Sequence, residues 1–163
     1  MKFLAVSGGD ALSREATIVA LVGGFSRKGW RVGVVSHRIL GSGDEAGGAP
    51  RNYAAAGAVQ VLASRGREIV PPQKIAGLTP LRRAAARYFN AVDLLISEGY
   101  LDPVPRVVVQ DARGKSPLLF RKDPSVVAEV GKERGGDGGP PVFEPGEPEA
   151  LVEFLAKVLA DAT

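Results

Sequence analysis

Strands and helices alternate along this chain, which predicts an α/β fold: a three-layer sandwich around a mostly parallel sheet. Three observations carry the prediction. The apolar run Lys2–Val6 ends in a glycine turn, Ser7-Gly8-Gly9-Asp10. Ile18, Val19, Leu21, Val22 and Phe25 then recur at helical spacing between Ser13 and Lys28, Gly29 stops the helix, and Arg31–Ser36 forms a second strand. That is a βαβ unit, which predicts a parallel pair with a right-handed crossover. Further on, Asp93–Ser97 (DLLIS) is a near-continuous apolar run, the signature of a strand buried on both faces.

The remaining elements follow in order. Gly41–Gly48 is too polar and glycine-rich to bury and reads as a loop. Tyr53–Ala58 reads as a short helix, Val59–Ser64 as a strand and Glu68–Val70 as a shorter one. Thr79-Pro80 opens a helix, with proline at its first position, that runs to about Val92. Val107–Gln110 and Ser125–Val130 are further strands, and Gly135–Pro141 is a loop. Glu147–Leu159 closes the chain as an amphipathic helix with Leu151, Phe154, Leu155, Val158 and Leu159 on one face. All 163 residues are assigned to one domain. In such sheets ligands bind beyond the carboxyl ends of the strands. That rim takes in Ser7–Glu15, Ser36–Gly48 and Glu98–Pro103.

Composition narrows the chemistry. With no cysteine there is no disulfide, thiolate nucleophile or cysteine-held zinc, and His37 is the single histidine. Carboxylate-held magnesium remains open. The lack of cysteine, one methionine and 12 prolines resemble a thermophilic composition, against which 21 glycines weigh. The net charge of +3 is spread over interspersed basic and acidic residues, with only short basic pairs such as Arg82-Arg83 and Arg121-Lys122. No basic stripe for nucleic acid results. No apolar run reaches the roughly 18 residues of a membrane span, and Lys2 precedes too short an apolar stretch for a secretion signal. The expected location is the cytoplasm.

The loop after the first strand occupies the place of a phosphate-binding P-loop, G-x-x-x-x-G-K-[ST]. In that motif glycines open a cradle of backbone N–H groups, lysine reaches the terminal phosphates and a hydroxyl holds magnesium. Counted from Gly9, the frame places Arg14 at the second glycine, Glu15 at the lysine and Ala16 at the hydroxyl. A Glu15 carboxylate in the first helical turn would itself satisfy the positive end of the helix dipole. The plainer reading is a turn capped by Ser13 or Asp10.

With these segments in view, the chain resembles the MobB family of molybdopterin-guanine dinucleotide biosynthesis proteins. The resemblance rests on Gly29–His37, on Ala56–Ser64 with its Ala-Gly-Ala helix-to-strand joint, on Asp93–Tyr100 with its Glu-Gly-Tyr end, and on Pro148–Leu159. It implies a P-loop α/β domain, GTP and magnesium as family ligands, weak hydrolysis and a homodimer. It also implies a partner: a MobA-like guanylyltransferase or another molybdenum-cofactor enzyme. Departures fall where the chemistry should be. Besides the loop, Ser36 replaces a lysine, Ala49-Pro50 an Asp-Ser/Thr pair and Leu101 a lysine, while Arg38-Ile39-Leu40 replaces a histidine-rich stretch.

The site residues that follow are Gly8, Gly9, Ser13, Arg14, Thr17, His37 and Gly99 for a nucleotide or anion, and Glu98 for magnesium. Each has a structural alternative. Glu98 either positions a metal or bonds across the crevice, and His37 either meets a ligand or supports its strand. Tyr100 and Trp30 read as packing residues, and Arg38 and Arg51 as solvated charges. Two functions are consistent with this pattern. One is a non-catalytic MobB-like adaptor; the other is a divergent GTP- or ATP-binding protein that uses Arg14 and Glu98.

Overall fold

The computed structural model describes residues 1–38, 48–65, 80–98, 103–117, 120, 122–132 and 138–161. The elements are β1 (Lys2–Gly8), α1 (Ala11–Arg27), β2 (Val32–Arg38), α2 (Gly48–Ala55), β3 (Gln60–Arg65), α3 (Pro80–Tyr88), β4 (Leu94–Glu98), β5 (Arg106–Val109), β6 (Val126–Val130), β7 (Val142–Phe143) and α4 (Pro148–Asp161). The strands form one seven-stranded sheet in the order β3-β2-β4-β1-β5-β6-β7. Every neighbouring pair is parallel, but β1 and β2 do not pair with each other as expected, because β4 lies between them and bonds to both.

Strand alternation sends side chains to two faces. One face carries Leu4, Val6, Val34, Ile96 and Val107 and packs against α1, α2 and α4 through Ile18, Phe25, Tyr53, Leu151 and Leu155. The other carries Ala5, Val35 and Leu95 and packs against α3 through Leu81, Ala85 and Phe89. Helix, sheet, helix makes the three expected layers. Helices α1 and α4 touch closely at Gly24, where a β-carbon would sit 2.5 Å from Val152 Cγ2. No helix of the described residues is long and apolar enough to cross a membrane.

Several boundaries differ from the expectation. The second helix lies earlier, at Gly48–Ala55 rather than Tyr53–Ala58. Pro50 falls in its first turn, where a missing N–H costs nothing, and Gly57 (φ +114°) turns the chain out afterwards. Helix α3 stops at Tyr88, short of Val92. There the Asn90 N–H is bonded by the Gln60 side chain, and Ala91 adopts φ +55°. β7 was not anticipated; two residues are too few to leave a periodic signal. The expected strand Glu68–Val70 and the residues Thr79, Gly99, Tyr100 and Leu101 lie outside the described residues.

Candidate functional site

The chain reverses direction across the sheet at β1, which lies between β4 and β5, so the carboxyl end of β1 is the switch point. Gly8 and Gly9 sit there with φ of +79° and +54°. A β-carbon on Gly8 would lie 2.4 Å from the Val109 carbonyl oxygen, and one on Gly9 would lie 2.8 Å from Val109 Cγ1. Both glycines are therefore demanded by β5 and by backbone shape, with or without a ligand.

Helix α1 begins at Ala11 with Asp10 as its cap. The Asp10 carboxylate accepts from the Ser13 N–H at 2.9 Å and from the Ser13 hydroxyl at 2.8 Å. Those bonds, the backbone one first, hold its pKa below the usual carboxylate value. The acid that meets the positive end of α1 is thus Asp10 rather than Glu15. Glu15 lies in the second turn and accepts from Asn52 Nδ2 at 2.7 Å, joining α1 to α2. Thr17 is buried and donates to the Ser13 carbonyl at 2.9 Å, a local bond within the helix.

Arg14 turns back into the loop. Its Nη1 donates to the carbonyls of Gly8 and Gly9, both at 2.9 Å, and its Nε donates to Glu98 Oε1 at 3.1 Å. A frame counted from Gly8, where β1 ends, would set Ser13 at the second glycine, Arg14 at the lysine and Glu15 at the hydroxyl. Glu98 ends β4, between Val6 of β1 and Ser36 of β2, and is 1% exposed. Its other oxygen accepts from the Ser36 hydroxyl at 2.9 Å and from the Tyr53 hydroxyl at 3.2 Å. One carboxylate therefore ties together α1, β2, α2 and β4.

Of the residues expected at the site, Gly8, Gly9, Ser13, Arg14, Thr17 and Glu98 gather around this one loop. His37 lies on β2 opposite Ser64, one residue past Ser36, and its side chain is outside the description; so is Gly99. Sequence reasoning set Ser36 on the rim only as the replacement of a lysine, and it missed Tyr53, which carries no motif. It also missed Arg106, fully buried at the start of β5, whose Nη1 donates to Ser7 Oγ at 2.7 Å. A charged residue leading into three valines was the available signal. Among the described residues, no three metal-ligating side chains gather.

Beside the loop lies a cleft of about 550 Å³. It is bounded by Thr17 and Ala20 of α1, Val109 and Gln110 at the end of β5, Gly131 after β6 and Leu151 of α4.

The family model for MobB, described as molybdopterin guanine dinucleotide synthesis protein B, matches residues 4–132. Two solved structures are similar along nearly their whole length. One is a molybdopterin-guanine biosynthesis protein B, 23% identical with a TM-score of 0.59, the match covering 97% of this chain and 99% of that one. The other is a MobB protein homolog from Bacillus stearothermophilus, 19% identical with a TM-score of 0.63, covering 99% of each. At such identities the likeness of these two is one of fold. No curated protein matches the chain.

Proposed function

Because this chain belongs to the molybdopterin guanine dinucleotide synthesis protein B family, we propose that it serves that synthesis as a non-catalytic binding protein or adaptor. One observation carries the reading: the Arg14 guanidinium lies across the two loop carbonyls and on Glu98, filling the loop with the chain's own side chain. A bound triphosphate would have to free that cation. The positive end of α1, which attracts anions, already meets the Asp10 carboxylate. Magnesium would need Glu98, both of whose oxygens accept bonds from Arg14, Ser36 and Tyr53. As placed, these residues do not fit a magnesium–triphosphate. In this reading the protein is a cytoplasmic homodimer, working beside a MobA-like guanylyltransferase or another enzyme of the molybdenum cofactor. Family membership is what supports that partnership.

Calorimetric titration with GTP and ATP, with and without magnesium, tests the proposal. The expected result is no saturable binding at millimolar nucleotide. The competing reading has Arg14 swing from Glu98 onto the nucleotide, releasing the carboxylate to the metal. Magnesium-dependent binding that both Arg14→Ala and Glu98→Gln weaken would establish that reading instead.

A further inference from the structure

The two helical layers treat their cations differently. On the α1–α4 side, Arg27 meets Glu149 and Lys28 meets Glu153. On the other side, α3 reads PLRRAAARY, with three arginines and no acid. Among the described residues, ion pairs are made by Arg14, Arg27, Lys28, Arg31 and Arg106, and none by Arg82, Arg83 or Arg87.

This placement works against the helix. Arg82 and Arg83 occupy its first turn, at the positive end of its dipole, where an acid would be favourable. Arg83 and Arg87 stand one turn apart, where like charges repel. Of the three, Arg87 alone suits its end. Local conflicts kept without a compensating pair mark a surface shaped by function rather than by stability.

Two of the guanidinium groups are also set in position. Arg82 lies over the Phe3 ring, 4.8 Å from its centroid, and Arg87 lies over the Tyr88 ring at 5.3 Å. Both arginines are exposed. Stacking fixes the guanidinium plane and leaves its N–H edges pointing outward, where the two oxygens of a carboxylate match them. Between them, Arg83 keeps a buried Nε with no hydrogen-bond partner among the described residues.

The same features disfavour two other anionic occupants. A helix that lies on a membrane inserts its apolar face, but Leu81 and Ala85 are already packed against the sheet. Single-stranded nucleic acid needs a longer basic track and open rings for stacking. Here three cations share one nine-residue helix, and guanidinium groups cover Phe3 and Tyr88.

We propose that the arginine face of α3 docks an acidic segment of a partner protein, whose carboxylates pair with Arg82 and Arg87. The face lies over the amino-terminal half of the sheet, with Arg82 on Phe3 of β1 and Phe89, just after α3, against Gly33 of β2. The loop at the carboxyl end of β1 takes no part, so this surface goes beyond the proposed function and is tested apart from it.

The test is fluorescence anisotropy of a labelled oligoglutamate peptide titrated with the full chain. Saturable, salt-sensitive binding is expected, and Arg82→Gln with Arg87→Gln should weaken it at least about tenfold. Arg82→Lys with Arg87→Lys keeps the charge and loses the stacked fork, and should weaken it about fivefold. Arg51→Gln, at an exposed cation of α2, should change it less than about twofold. Thermal melting checks that each variant is folded. No binding, binding indifferent to the Gln pair, or full binding by the Lys pair overturns the proposal. So does tighter binding of oligothymidine or of phosphatidylserine vesicles through the same two arginines. Self-association that the Gln pair abolishes would give the face to a second copy of the chain instead.

Discussion

Strand β4 carries an arginine–carboxylate pair at each end, and the two pairs differ in almost everything but chemistry. At the entry, Asp93 accepts from Arg31 Nη2 at 2.7 Å, from its Nε at 3.1 Å and from its backbone N–H at 2.9 Å. Both side chains are about half exposed, at 54% and 41%. At the exit, Glu98 meets Arg14 with side chains 2% and 24% exposed. Water can replace either partner at the entry, so that pair aligns β2 with β4 and adds little stability. At the exit the Glu98 carboxylate is buried, so it depends far more on the bonds the protein supplies. Removing one partner is therefore cheap at the entry and costly at the exit.

The largest expected effect comes from Arg14→Ala. It removes the Arg14 cation from a buried carboxylate and should cost about 3 kcal/mol of unfolding free energy by chemical denaturation. In a Glu98→Gln background the same substitution should cost far less, because the two changes are not additive. Equal cost in both backgrounds would mean that the pair is no more than a surface contact. A middle effect is expected from Tyr53→Phe, which removes one hydroxyl donor from the same carboxylate. About 1 kcal/mol should be lost, read from the same denaturation curves.

The smallest effect belongs to the exposed pair. Asp93→Asn should change the melting temperature at neutral pH by less than Tyr53→Phe does. Its consequence should appear in acid. Hydrogen bonds from the Arg31 side chain, then from its backbone N–H, lower the Asp93 pKa from 3.8 to about 2. The folded value lies below the unfolded one, so the contribution is fully present above about pH 4 and fades as pH falls toward 2. The Asn variant should lose stability less steeply across that window. Identical slopes would show that the pair does not couple folding to protonation.

The layers, the parallel sheet and the buried strand β4 were legible in the chain. Apolar periodicity reports local structure directly: Ile18, Leu21, Val22 and Phe25 face a sheet because they share one side of a helix. The site was legible only in part. Gly8, Gly9, Arg14 and Glu98 were visible as a loop and a strand end, but not as a contact between residues 84 positions apart. Tyr53 left no signal and Ser36 only a departure from a family lysine, since a serine and a tyrosine acquire a role only from what they touch. The cleft was equally hidden, because its floor comes from four separated elements, and alanines on a helix do not announce the space they leave.

By itself the sequence determined the fold class and the place of the loop after β1, because each depends on residue type and near-neighbour spacing. The tertiary structure decided how that loop is completed. It set Arg14 on Glu98, gave the helix terminus to Asp10 and left a cleft open alongside. These outcomes depend on which distant groups are brought within hydrogen-bonding distance away from water, and packing alone settles that.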